Sequence, residues 1–154
     1  MTFIINTAVE MEIFGNQLAH LCHSSSVIYL HGELGSGKTT FTRGFLRGLG
    51  YIGKVKSPTY TLVESYDLDH YTVYHFDLYR LSDPEELDYL GVRDYLENNV
   101  ICLIEWAERG YGYIPPPDIE CHLTYQTTAR AVKFITHNSQ SEQMIATLKL
   151  QITD

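Results

Sequence analysis

The sequence predicts an α/β domain in which a central, mostly parallel sheet with some antiparallel strands lies between layers of helices, as a single unit over residues 1–154. Three observations lead there. The apolar run "SVIYLHG" feeds a glycine-rich turn and then "KTTFTRGFLRGLG", where Phe41, Phe45 and Leu49 recur at helical spacing. "VICLIEW" is nearly all apolar, the pattern of a strand covered on both faces. "TYTLVESY" and "YTVYHFDLY" alternate as two further strands would. A chain of 154 residues, 44% hydrophobic and 19% charged, has room for one sizeable core and not for two.

Taken in order, "TFIIN" is a short apolar strand, and Thr7-Ala8-Val9-Glu10 is a capping box opening a helix with Met11, Phe14, Leu18 and Leu21 on one face, ending near Ser24. After the second strand and the glycine turn, the next helix stops at Gly50. Gly44 and Gly48 share another face of it, open to close approach, and with Arg43 and Arg47 are expected to be exposed contact positions. "DLDH" joins the two alternating strands as a hairpin. Asp83-Pro84-Glu85-Glu86 starts a short helix to about Tyr89, because aspartate caps and proline suits the first helical position. Gly91 breaks it, and "VRDYLEN" is a second helical stretch before "VICLIEW". "ERGYGYIPPPD" is a surface connector, "IECHLTY" and "RAVKFITH" form an antiparallel pair, and a last helix opens at Ser139 with Glu142 behind it and Met144, Ile145, Leu148 and Ile152 as its apolar stripe.

Eleven basic residues against 19 acidic ones give a net charge of −8, which disfavours autonomous nucleic-acid binding, since that binding rests on neutralising phosphates. Arg43, Arg47, Lys54 and Lys56 are the one basic concentration. Three cysteines without metal spacing read as reduced core residues. The N-terminus has no basic stretch followed by an apolar block and no run approaches a membrane span, so a cytoplasmic location is expected. The seven histidines show no HExxH or paired ligand spacing, and His31 reads as a strand-end residue.

Chemistry concentrates in "HGELGSGKTTF". Gly32-Glu33-Leu34-Gly35-Ser36-Gly37-Lys38-Thr39 completes G-x-x-x-x-G-K-[ST], the phosphate-binding P-loop. Glycines let backbone N–H groups curl round phosphate oxygens, the helix N-terminus adds its positive end, Lys38 reaches the outer phosphates and the Thr39 hydroxyl can hold Mg²⁺. Its position between strand and helix specifies the P-loop NTPase type of three-layer fold. Such sites use an acid at the end of a neighbouring strand. Glu105 closes "VICLIE" and Asp77 closes "VYHFD"; a lone carboxylate there is costly unless it coordinates or pairs. Which of the two touches the metal is open, and Asp77 has competing readings as a turn or helix-start residue or as a partner of Arg80. Ser57, Thr59 and Thr61 in "KSPTYT" are candidate sensors of a terminal phosphate, and Trp106 either caps the core or packs beside the nucleotide. No N-K-x-D motif is present, which favours adenine over guanine. A small-molecule kinase is the alternative; Arg80, Arg93 and Arg109 form no lid-like cluster for it.

These segments together resemble the TsaE (YjeE) family, small bacterial P-loop ATPases required to make threonylcarbamoyladenosine in tRNA. "GELGSGKTTFTRG", "VKSPTYTLVESY", "HFDLYRL", "EELDYLG" and "LIEW" occur in the family's order and spacing; the tail after about Gln126 carries little of its signature. The resemblance implies that Glu33, Leu34, Gly35, Ser36, Gly37, Lys38, Thr39 and Thr40 hold ATP. It further implies that Thr39 and Glu105 serve Mg²⁺, that Asp77, Glu105 and Lys38 carry catalysis, and that Trp106 lies close enough to affect nucleotide binding. It also implies TsaB and TsaD as partners, with tRNA met only through them, and an ATPase that is slow alone. The free protein is expected to be a monomer with no membrane association.

Overall fold

The computed structural model describes residues 1–23, 25–92 and 99–153. Its elements run β1 (Thr2–Ile5), α1 (Ala8–His20), β2 (Ser26–His31), α2 (Lys38–Gly48), β3 (Val63–Asp67), β4 (Thr72–Asp77), α3 (Glu86–Tyr89), β5 (Val100–Glu105), a 3-10 turn (Ala107–Gly110), β6 (Ile119–Tyr125), β7 (Arg130–Thr136) and α4 (Ser139–Thr153). The expected helical stretch over residues 92–98 falls, beyond Val92, outside the described residues.

The seven strands pair in the order β1-β7-β6-β2-β5-β4-β3. β6, β2, β5 and β4 are mutually parallel neighbours, while β3 pairs with β4, and β7 with β6 and β1, antiparallel. The expected mixed sheet with a parallel centre is therefore present. All six residues of β5 are buried, as its unbroken apolar sequence requires.

One face of the sheet is covered by α1, α2 and α4 around Phe14, Leu18, Phe41 and Phe45 with Ile28, Leu30, Ile101, Leu103 and Val132. The opposite face is thinner: Phe76, Cys102 and Ile104 pack under Leu78, Leu81, Leu87, Ala107 and the flanks of Trp106, Tyr113 and Ile114, which belong to α3, the 3-10 turn and loops.

Local caps explain the helix boundaries. The Glu10 N–H donates to Thr7 Oγ1 at 3.1 Å, and the Glu10 carboxylate reaches back to the Asn6 N–H at 2.8 Å, one residue earlier than the usual box. α1 ends at His20, short of Ser24, because the Leu21 and Cys22 N–H groups turn back on Leu18 and Ala19. α4 opens at Ser139, as expected, and the residue before it supplies the cap: the Ser141 N–H donates to Asn138 Oδ1 at 2.9 Å and the Asn138 N–H to Ser141 Oγ at 3.3 Å. Asp83 accepts from the Glu85 N–H, but the helix it introduces is only the single turn Glu86–Tyr89.

The α2 glycines are not an exposed contact surface. A Cβ on Gly44 would lie 1.9 Å from the Glu12 carbonyl oxygen, and one on Gly48 would lie 2.7 Å from that of Asn16. Gly15 answers from α1, where a Cβ would meet the Phe41 carbonyl oxygen at 2.3 Å. The close approach that these small residues permit is filled by α1 itself. Arg47, moreover, donates to the Tyr51 and Gly53 carbonyls at 3.0 and 2.7 Å, tying down the chain that leaves α2.

Candidate nucleotide site

The loop between β2 and α2 turns where side chains would obstruct it. Gly35 and Gly37 adopt φ of +81° and +110°, a left-handed backbone that glycine enters without a Cβ penalty. Gly37 stands at the start of α2, so the helix's first N–H groups face the same space as the loop. The Ser36 N–H donates to the Glu33 carbonyl at 3.0 Å, and Ser36 Oγ is buried without a hydrogen-bond partner among the described residues.

Lys38 is only 9% exposed although it is a lysine at a helix start. Its ammonium donates to the Gly32 carbonyl at 2.6 Å, lies 3.5 Å from Glu105 Oε1 and sits 5.3 Å from the centre of the Trp106 ring. Glu105, 7% exposed, is placed by the β5 end and is bonded on its other oxygen by His75 Nε2 at 2.7 Å. Burial would push the Glu105 carboxyl up, but the hydrogen bond and charge of His75, together with Lys38, hold it below the ordinary carboxylate value. The carboxylate expected to be costly when alone is thus paired twice over.

Asp77 is the direct register partner of Glu105 across β4 and β5. It is less buried, and its Oδ1 accepts the Tyr79 N–H at 3.1 Å. The competing idea of an Asp77 pairing with Arg80 gives way to a different contact: the Arg80 guanidinium stacks 4.6 Å over the Tyr60 ring.

These groups open on one cavity of about 630 Å³, whose walls include Lys38, Thr39, Asp77, Arg80, Glu105 and Trp106. The expected residues Glu33, Leu34, Gly35, Gly37 and Thr40 line it too, whereas Ser36 faces inward and does not. Ser57, Pro58 and Thr59 form the opposite wall, with Ser57 Oγ and Thr59 Oγ1 2.6 Å apart. Thr61 is turned away onto Glu64, its hydroxyl donating to Oε1 at 3.1 Å. Trp106 is half-buried against the second core and also walls the cavity, with φ of +58° and Tyr79 against it at 4.9 Å. Arg109 covers both rings, at 5.1 Å from Tyr79 and 5.8 Å from Trp106. Arg93 lies outside the described residues.

Sequence reasoning missed His75 and Tyr79. The signal for His75 was present: in the alternation "YTVYHFD", His75 shares a strand face with Asp77, two residues from a candidate acid. No spacing could reveal that β5 would lay Glu105 against it.

The chain is similar to proteins of one kind across nearly its full length. The family model described as "Threonylcarbamoyl adenosine biosynthesis protein TsaE" matches residues 5–132. The protein named tRNA threonylcarbamoyladenosine biosynthesis protein TsaE of Haemophilus influenzae is 44% identical over 151 residues, 95% of this chain and 96% of that one. The protein of the same name from Rickettsia felis is 36% identical over 140 residues, 90% of this chain and 81% of that one. A crystal structure of Bacillus subtilis YdiB superposes with a TM-score of 0.80 at 26% identity, covering 98% of this chain and 95% of that one. With the family model spanning most of the chain and such relatives aligned almost end to end, the chain belongs to the TsaE family.

Proposed function

We propose that this chain is a Mg²⁺-dependent ATPase that acts on the TsaB–TsaD complex in tRNA threonylcarbamoyladenosine biosynthesis and turns over slowly when alone. The observation that carries the reading is the convergence of Lys38, Thr39 and Glu105 on one cavity at the mouth of the glycine loop. The donor set fits a phosphate chain with a hard cation: backbone N–H groups, an ammonium, a hydroxyl and an ionised carboxylate. Thr39 and Glu105 would hold Mg²⁺, which when bound neutralises charge on the phosphates.

The remaining work falls to the chain's own groups. Lys38, already desolvated between Glu105 and Trp106, offers a cation with little rotamer freedom left to lose. His75 fixes one Glu105 oxygen and leaves the other toward the cavity, which sets the carboxylate's direction. Asp77, beside it, is the second acid able to orient a water for attack. Tyr79 and Trp106 form an aromatic wall on that side, with the Arg109 guanidinium laid against both rings.

The decisive experiment measures phosphate release by the isolated protein and by the protein mixed with the TsaB–TsaD heterodimer. A rate changed by the heterodimer, with co-elution of all three chains, is expected. Unchanged turnover with no association would overturn the partner assignment. Transfer of labelled phosphate to a metabolite would point to a kinase instead.

A further inference from the structure

On the thin side of the sheet, away from α2, the parallel pairing of β2 with β6 sets His31 beside His122 and Tyr29 beside Glu120. The two imidazoles stack at 4.4 Å with an interplanar angle of 17°. His31 Nε2 lies 2.9 Å from Glu120 Oε1, and one ligating atom from each of His31, Glu120 and His122 falls within 4.8 Å of the others. His122 Nε2 is shielded from solvent and has no hydrogen-bond partner among the described residues. It is one of four buried side-chain polar atoms without a hydrogen-bond partner among the described residues, and the one set within a cluster of metal-ligating groups.

We propose that His31, Glu120 and His122 form a site for a divalent transition metal of the Zn²⁺ class. Two imidazoles and a carboxylate are a common three-ligand set for that ion, leaving a position for water or an added group. His137 supports the assignment: its Nε2 lies 2.7 Å from the second Glu120 oxygen, so it orients the ligating carboxylate from behind. The four residues come from β2, β6 and the position just after β7, which explains why linear spacing concealed them. An adjoining cavity of about 580 Å³, lined by Tyr29, His31, Tyr111, Glu120 and His137 among others, gives an ion a route in. Hard cations such as Mg²⁺ are poorly served by this nitrogen-rich set, so the site is chemically separate from the one at Thr39.

The site has a bearing on the P-loop because His31 is bonded directly to Gly32, whose carbonyl receives Lys38. An ion that immobilises His31 anchors the residue from which the loop departs. The proposal does not depend on the nucleotide reading.

The test uses untagged protein stripped of metal by a chelator, titrated with Zn²⁺ by calorimetry and with Co²⁺ by visible absorption. A single Zn²⁺ per chain and intense Co²⁺ bands of a four-coordinate site are expected. Glu120→Gln and His122→Ala should each weaken Zn²⁺ at least about tenfold, while Glu105→Gln leaves it unchanged. Absence of saturable binding, Co²⁺ bound only in a weakly absorbing octahedral form, or affinity surviving in folded Glu120→Gln and His122→Ala would overturn the proposal. Loss of binding in folded Glu105→Gln would overturn it as well, by moving the ion to the nucleotide site. Circular dichroism of each metal-free variant shows whether it is folded, and the Co²⁺ spectrum of the unaltered protein decides the matter if a variant is not.

Discussion

His75 Nε2 stands 2.7 Å from Glu105 Oε2 while Lys38 Nζ stands 3.5 Å from Glu105 Oε1, so one buried carboxylate at the end of β5 is held from β4 and from α2. Removing His75 leaves the largely buried Glu105 with Lys38 as its remaining partner among the described residues. His75→Ala should therefore lower unfolding free energy by about 1–3 kcal/mol, the cost of an unsatisfied buried polar group, rather than the larger penalty of a wholly unpaired charge. Chemical denaturation checks the magnitude. In the same variant the phosphate-release rate should fall more than nucleotide affinity does, because the loop that would hold the phosphates is untouched.

Acid should act through the same carboxylate. The folded value of Glu105 lies below its ordinary 4.5, so the stability it contributes is present above that pH and is lost as pH falls through the folded value. Thermal melts of nucleotide-free and metal-free protein should show the unaltered chain losing Tm below pH 4.5 more steeply than Glu105→Gln, which has no proton to take up at that position. Parallel curves would show that the pairing does not govern acid stability.

Trp106 is the one tryptophan and sits between Lys38 and Tyr79 on the cavity wall. Titration with ATP should change its fluorescence saturably. Lys38→Ala should abolish or greatly weaken that response, since the chain then loses its most buried cation at the loop.

Crowding at the α1 and α2 crossing gives a stability test without reference to activity. Gly44→Ala puts a methyl 1.9 Å from the Glu12 carbonyl oxygen, which is backbone and cannot rotate away. A loss of about 1–3 kcal/mol or more is expected, as for overpacking elsewhere. A variant as stable as the parent would mean that the two helices slide apart freely.

The cysteines should be silent. Burial pushes the thiols of Cys22 and Cys102 up to about 12, and that of Cys121 well above its ordinary value. Iodoacetamide at pH 8 should leave the folded protein unmodified and alkylate all three after denaturation.

Much of this was written locally in the chain. The β2, loop and α2 sequence is self-announcing, because an apolar strand, glycines at fixed offsets and a helix opening are short-range features. β5 likewise followed from an apolar run ending in an acid. The start of α4 at Ser139 was legible, while its cap, the Asn138 amide oxygen accepting the Ser141 N–H, was not singled out. The purpose of Gly44 and Gly48 lay in α1, about thirty residues away, and no pattern within α2 could say what would fill the gap. His75 and the histidine pair at His31 and His122 are products of strand register, which sequence specifies only through the whole sheet. The candidate nucleotide site was legible because one segment supplies most of it; the groups that tune it come from elsewhere.

The crossing of α1 and α2 has a mechanical consequence. At Gly15, Gly44 and Gly48 main chain rests on main chain, so no side chain there can change rotamer to absorb a push. A shift of Lys38 at the head of α2 would therefore press directly on the α1 main chain, and α1 in turn meets β1 and α4. Packed this way, the two helices would move together as a plate instead of absorbing the push between them.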